Sequence, residues 1–327
     1  MKTLFLSNSY AIFKANKEKI SNNKKQKSES LNSTSTNEND SFEKKEESIK
    51  NNLLINHPQF KNLSPSNLNS MFKQIMFQES EKIKPILKRD DFKNQNDINE
   101  IHRAILIDWL INVHLYLKLS DECLFLTIRI IDQFLGNIKN FEKKNLELLG
   151  ICSLFISSKF FESIHIKIED LLTLCENAYS KNEIISFERY LYSQINYEIE
   201  QDSIINLFDM LCLIFNFNLI EYNLGKFFLE LTLLDIQFYE YQRTVIALAA
   251  TYLVMKVNIQ RHKNYKNCFL YLQNQKYDEI ILKNCSKRIL KLWKDVKKYK
   301  KYNSSLQKFN LINNQSQENE EEVEMLF

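Results

Sequence analysis

The sequence predicts an all-α protein made of two tandem five-helix bundles, and three observations carry that prediction. First, the 327-residue chain holds only three glycines and three prolines, and no proline follows Pro85. Sheet proteins and phosphate-loop enzymes need glycine-rich turns with positive φ, so long helices joined by short polar turns are the economical reading. Second, residues 101–118, IHRAILIDWLINVHLYLK, are apolar almost all the way round a helical wheel. A surface helix has a polar half, so such a helix is expected at the centre of a bundle. Third, the chain repeats itself. Phe125-Leu126 and Ile131-Asp132 are echoed by Phe228-Leu229 and Leu234-Asp235, and the small-residue run 150–159 is echoed by 247–256. A repeat on this scale reads as one structural unit used twice.

Taken in order, residues 1–65 form a polar head. From residue 14 onward it is rich in Lys, Asn, Ser, Thr and Glu, the composition of a disordered segment. The apolar start at Leu4-Phe5-Leu6 is broken by Ser7-Asn8-Ser9, too short for the apolar core of a secretory signal. A helix with apolar residues at Leu68, Met71, Phe72, Ile75 and Met76 then runs to Lys84, where Pro85 stops it.

The first bundle occupies the rest of 66–200. Its helices are expected at 101–117, 121–135 with Gly136 as C-cap, 142–161, 168–176, and from the capping box Ser180–Glu183 to Asn196. The second bundle, within 201–302, is expected at 203–217, 221–237, 241–258, 265–274 and 277–300. Residues 303–327 turn polar, then acidic at 318–324, and read as a disordered tail.

Composition narrows the class. The chain is 44% hydrophobic and 26% charged with net charge +3, ordinary for a globular protein and too balanced for general nucleic-acid binding. The basic run from Lys287 to Lys301, with Trp293 and Tyr299 interleaved, reads as the charged face of a C-terminal helix. The six cysteines lie in apolar helical runs without a CxxC pair, as free core thiols in a reducing compartment. No apolar run is long enough for a membrane span. The five histidines lack metal-ligand spacing, and no phosphate loop or nucleophile elbow occurs. No catalytic residue, metal or cofactor is therefore expected.

The opening helix carries a resemblance. HRAILIDWL at 102–110, preceded by Gln95-Asn96-Asp97-Ile98-Asn99, resembles the opening of the cyclin box of A/B-type cyclins. The likeness continues through Ser157-Ser158-Lys159-Phe160 to Glu188 and covers roughly residues 67–310. It implies two tandem cyclin folds and a regulatory subunit that activates a cyclin-dependent serine/threonine kinase in the nucleus and cytoplasm, not itself an enzyme. Arg103 and Asp132 match the family's structural ion pair. A buried guanidinium needs such a carboxylate.

Lys159 and Glu188 match the pair that holds main-chain groups of the kinase's regulatory helix. Phe160, Ile164, Phe72 and Ile75 match positions near that interface. A docking groove for motif-bearing substrates or inhibitors is implied at Ile105, Leu106, Trp109, Lys143, Leu146 and Glu147. There His102, Asn112, Lys143 and Glu147 depart from the relatives' residues, and Phe161 stands where relatives have a glutamate. No membrane or nucleic-acid partner is expected. The alternative is a cyclin-fold transcription or scaffold protein binding nucleic acid or initiation factors. No arginine precedes Arg89 and no KEN triplet occurs, so the destruction signals typical of mitotic cyclins are absent from the head.

Overall fold

A computed structural model describes residues 60, 62–80, 87, 89–199, 203–264, 266–268, 279–299, 302 and 304–312. Among these no strand occurs. The helices are α1 (Pro65–Ser80), α2 (Glu100–Leu117), α3 (Asp121–Asn137), α4 (Leu146–Phe161), α5 (Ile168–Leu174), α6 (Lys181–Gln194), α7 (Ile204–Phe215), α8 (Leu219–Leu233), α9 (Arg243–Val257), α10 (Glu279–Tyr299) and α11 (Ser304–Ile312). The expected head and most of the acidic tail lie outside the described residues, as does most of the expected helix at 265–274.

Side-chain caps set the helix starts. Asn99 accepts from the amide of His102, and His102 Nδ1 accepts from the amide of Asn99, a capping box with histidine in the usual place of glutamate. Ser180 and Glu183 form the expected box at α6. Asn218 and Glu221 form a third at α8. With so few glycines, left-handed turns fall to other residues. Among the described residues eight non-glycine residues have positive φ, four of them asparagines: Asn140, Asn177, Asn196 and Asn216. Asparagine tolerates that conformation best among residues with a Cβ.

Gly136 corrects one expectation. It lies inside α3, which ends at Asn137 and is capped by Ile138 in an extended conformation. The left-handed residue comes later, at Asn140, and the Gln95 amide spans that turn, donating to the carbonyl of Ile138 and accepting from the amide of Phe141.

The helix expected at the centre shares that role. In α2, Ile101 and Tyr116 are exposed, while α4 and its echo α9 are buried along nearly their whole lengths. Both centre helices are rich in Gly, Ala, Ser or Cys, which lets neighbours approach closely. The same economy appears at Gly225 in α8. A Cβ there would stand 2.0 Å from Cζ of Phe208, a fully buried ring stacked on Tyr222. Gly225→Ala should therefore destabilise the fold by about 1–3 kcal/mol through overpacking. The urea midpoint of the variant reads this, and a parental midpoint would show that Phe208 moves aside freely.

Two packing relations were not expected. Helix α1 rests on α7 and α9 of the second bundle rather than on the first. Glu79 fixes it there, accepting from Arg243 Nε at 2.9 Å, the amide of Thr244 at 3.0 Å and Thr244 Oγ1 at 2.8 Å. Glu79 so supplies the cap that Gln242, the residue before α9, does not make. The second relation corrects the expected boundary at 303. Residues 304–312 are a helix packed on α2 and α8, with Ser304, Ser305, Lys308 and Phe309 buried.

That helix explains Asp108, a charge inside the apolar field of α2. Its carboxylate accepts from the amide of Ser304 at 2.9 Å and so caps α11. Lys308 enters the junction of the bundles, donating to Asp121 at 3.1 Å and to Glu230. Lys226 donates to Asp121 at 2.7 Å. Burial opposes the charge on Asp121, but Lys226 and Lys308 hold its carboxyl below the usual range.

His114 faces the same cluster. Its Nε2 lies 2.8 Å from the carbonyl of Ser120, which can only accept, so Nε2 carries the proton. Nδ1 then faces the Lys308 ammonium at 3.5 Å. Burial first, and Lys308 second, press the imidazole down to about 4 from its usual 6.5.

The sign of the pH effect follows. Above pH 6.5 both folded and unfolded chains keep the ring neutral. As pH falls towards 4, the unfolded chain takes up a proton that the folded chain refuses, and stability is lost. Between pH 7 and pH 5 this amounts to about 2 kcal/mol. Glu147, pushed up to about 6 by burial and Glu176, works the opposite way in that window. The quantity to measure is thus the difference in thermal midpoint between parent and His114→Gln at pH 7 and pH 5. The variant should lose less on acidification, and equal losses would contradict the buried neutral ring.

Candidate functional site

The site lies where the end of α4 meets the middle of α6. Buried Ser157 and Ser158 hold the last turn of α4 in the core, their hydroxyls donating to carbonyls within the helix. The next residue, Lys159, is the first to leave it. Its ammonium bonds Glu188 of α6 and sits 3.8 Å over the Phe155 ring. Lys159 is 40% exposed and Glu188 is 18% exposed, so the lysine faces solvent while the carboxylate is half-buried. An exposed pair of this kind is worth only about 0–1 kcal/mol. It is pre-positioned and opens at small cost. The ammonium can then donate to carbonyls and the carboxylate can accept from amides.

Apolar surface flanks the pair. Phe160 is 42% exposed and Ile164 is 86% exposed, while Phe161 packs half-buried against the core. The segment that displays Ile164 is tied at both ends. Glu162 accepts from the amide and hydroxyl of Ser120 at 2.7 and 2.8 Å, and Ile166 is buried. An isoleucine held this far out of the core marks a contact surface better than a scattered apolar residue does. Sequence reasoning missed the role of Glu162. It is the residue immediately after α4, and its partner Ser120, the N-cap of α3, lies 42 residues earlier.

The other expected site residues divide. Phe72 is fully buried and is corrected to a core residue. It lies on the face by which α1 packs inward. Ile75 is half-buried, and the apolar side chains α1 leaves exposed are Met71 and Phe77. In the expected docking groove, Leu106, Trp109 and Leu146 are buried and are likewise corrected to core. The physical reason is the close approach of α2 to α4, where a Cβ on Gly150 would stand 2.9 Å from Leu106 and 3.5 Å from Trp109. Ile105 and Glu147 are half-buried and Lys143 is exposed, so those three keep accessible surface. Asn112 is engaged elsewhere, donating to Ser304.

Arg103 and Asp132 meet as expected, at 2.5 Å through Nε and 2.6 Å through Nη2. Both are buried. Burial alone would push the guanidinium down, but Asp132 outweighs it and raises the Arg103 pKa. The pair also reaches across the repeats. Arg103 Nη1 donates to the carbonyl of Leu233 at 2.8 Å, and the Tyr239 hydroxyl donates to Asp132. The echo of Asp132 in the second repeat, Asp235, is used differently. It caps the helical turn Ile236–Glu240 and pairs with Arg288.

Among the described residues no group of acidic, histidine and cysteine side chains is arranged to hold a metal, and no helix is long and apolar enough to cross a membrane. All six cysteines are buried free thiols.

This geometry defines a tandem α-helical repeat protein with a charged and apolar surface at the end of the third helix of its first repeat. Comparison with known proteins places it within a family. The family described as "Cyclin, N-terminal domain" matches residues 73–200, and "Cyclin, C-terminal domain" matches residues 216–320. Together they take in more than two thirds of the chain, and the chain belongs to the cyclin family. Its relatives include "Cyclin-B2-2" of Oryza sativa subsp. indica, 33% identical over 205 residues, which are 61% of this chain and 46% of the relative. The "G2/mitotic-specific cyclin-B2" of Homo sapiens is 29% identical over 210 residues, 64% of this chain and 52% of the relative. The chain thus spans about half the length of these curated relatives. The solved structure of a viral cyclin from herpesvirus saimiri matches with TM-score 0.55 at 15% identity, covering 70% of this chain and 95% of that one. That likeness supports the fold.

Proposed function

We propose that this chain binds a cyclin-dependent serine/threonine kinase and switches it on, acting as a regulatory subunit in control of the cell cycle. The observation that carries the reading is the Lys159–Glu188 pair standing beside outward Phe160 and Ile164, at the positions where the family holds the kinase's regulatory helix. The mechanism is a population shift. The kinase needs an ion pair between a strand lysine and a glutamate of that helix, and the helix must pack inward to make it. A protein that binds only the inward arrangement shifts the kinase towards it. Lys159 and Glu188 serve this by holding main-chain groups, while Phe160 and Ile164 supply apolar area.

Ile105, Lys143 and Glu147 remain as the accessible part of a docking surface for substrates or inhibitors of the kinase. The same reading places the protein in the nucleus and cytoplasm. The test is phosphoryl transfer to a short peptide by a panel of purified cyclin-dependent kinases, with and without this chain. At least one should be activated in a saturable, stoichiometric manner. Activation of none would remove the proposal.

A further inference from the structure

Helix α10 carries seven basic and two acidic side chains, net +5, in a chain whose total is +3. The rest of the molecule is thus net −2, and the near neutrality of the sequence conceals a segregated charge. Two of the basic groups lie to the sides. Arg288 pairs with Asp235, and Lys297 lies over the Trp293 ring. The other five, Lys283, Lys287, Lys291, Lys294 and Lys298, are all exposed. At about 100° per residue they fall within one sector of about 80°, along about 22 Å of helix axis. Lys283 also bonds Glu279, at the start of the line.

This arrangement carries a local cost. Like charges at i,i+3 and i,i+4 weaken a helix by about 0.2–0.5 kcal/mol per pair, and the stripe makes four such pairs. A solvated face that only needed solubility would alternate its signs. The two acidic side chains of the helix stand at the edges of the stripe, Glu279 bonding Lys283 and Asp295 four residues after Lys291, so the exposed face itself presents a single sign.

We propose that this face of α10 binds the phosphate backbone of duplex nucleic acid, without reading its sequence. The composition of the stripe selects that partner. A protein partner would be expected to find aromatic or apolar anchors. Here Trp293 is buried, and Ile280, at one end, is the only large apolar side chain exposed among the described residues of α10. A membrane surface would also call for apolar insertion, and single strands for exposed rings to stack on. Backbone phosphates need charge alone. The five exposed positions offer lysine point charges rather than the bidentate arginine fork used to read bases. About 22 Å of axis matches roughly six base pairs. The stripe lies in the second repeat, apart from Lys159 and Glu188, so the proposal does not rest on kinase binding.

The experiment is fluorescence anisotropy of a labelled 20-base-pair duplex with the full chain, across a salt series. With three to five phosphates engaged, log K should fall with log salt at a slope between about −2.7 and −4.5. The variant Lys287→Gln with Lys291→Gln and Lys294→Gln should bind at least tenfold more weakly and with a shallower slope, at a thermal midpoint no lower than the parent's. Two duplexes of unrelated sequence should bind alike. Absence of duplex binding by the parent, or equal binding by the variant, overturns the proposal. Capture of polyglutamate or of anionic vesicles without capture of the duplex also overturns it, in favour of a different partner.

Discussion

Asp132→Ala should lower the thermal midpoint by about 6–20 °C. The substitution removes the carboxylate that Arg103 bonds and leaves a guanidinium 1% exposed. Breaking a buried pair from one side costs about 3–5 kcal/mol, because the remaining charge stays desolvated. Each kcal/mol moves the midpoint of a chain this size by about 2–4 °C. The variant loses more than the link between α2 and α3. Tyr239 loses its acceptor, and Arg103, freed from its fork, no longer holds Leu233 in place. The junction of the repeats should therefore loosen with the first bundle.

Replacing both partners separates charge from packing. Arg103→Met with Asp132→Leu should be far less damaging than Asp132→Ala, since it leaves no buried charge unmatched. A parental midpoint for Asp132→Ala would contradict the account. So would a double variant that falls as far as the single one.

Much of this fold was legible in advance. Scarce glycine, helical periodicity and the internal echo pointed to paired bundles, and the capping box Ser180–Glu183 placed the start of α6. The Arg103–Asp132 pair was legible through the resemblance, which implies both residues; the chemistry of a buried guanidinium says only that some carboxylate must meet it. What the pattern did not carry was long-range. Nothing local to Glu79 shows that it caps a helix starting at residue 243. Nothing local to Asp108 shows that it caps one starting at 304. Helix α11 was read as tail because its apolar spacing, Leu306 and Phe309, is short and set among polar residues. Its stability comes from Lys308 and Phe309 entering a junction made by other elements. The groove residues show the converse error. Leu106, Trp109 and Leu146 have the character of a docking surface in the sequence, but the small Gly150 draws α2 and α4 together and closes over them.

The candidate site was legible as residues but not as a state. Lys159 and Glu188 could be singled out from the sequence. That they bond each other, with the lysine over Phe155, comes from the structure. It follows that a partner must open the bridge and replace both of its halves. Each truncation then leaves main-chain groups of the partner facing a lost charge at a desolvated interface, at about 2–5 kcal/mol.

The most direct measurement is isothermal calorimetry of the activated kinase partner with the parent chain, Lys159→Ala and Glu188→Ala. Both variants should keep the parental thermal midpoint, because the bridge is exposed and a surface substitution changes stability by about ±0.5 kcal/mol. Each should bind about thirtyfold to several thousandfold more weakly, with activation falling in step. Folded variants that bind and activate the kinase as the parent does would contradict the assignment of this pair as the contact through which the protein acts.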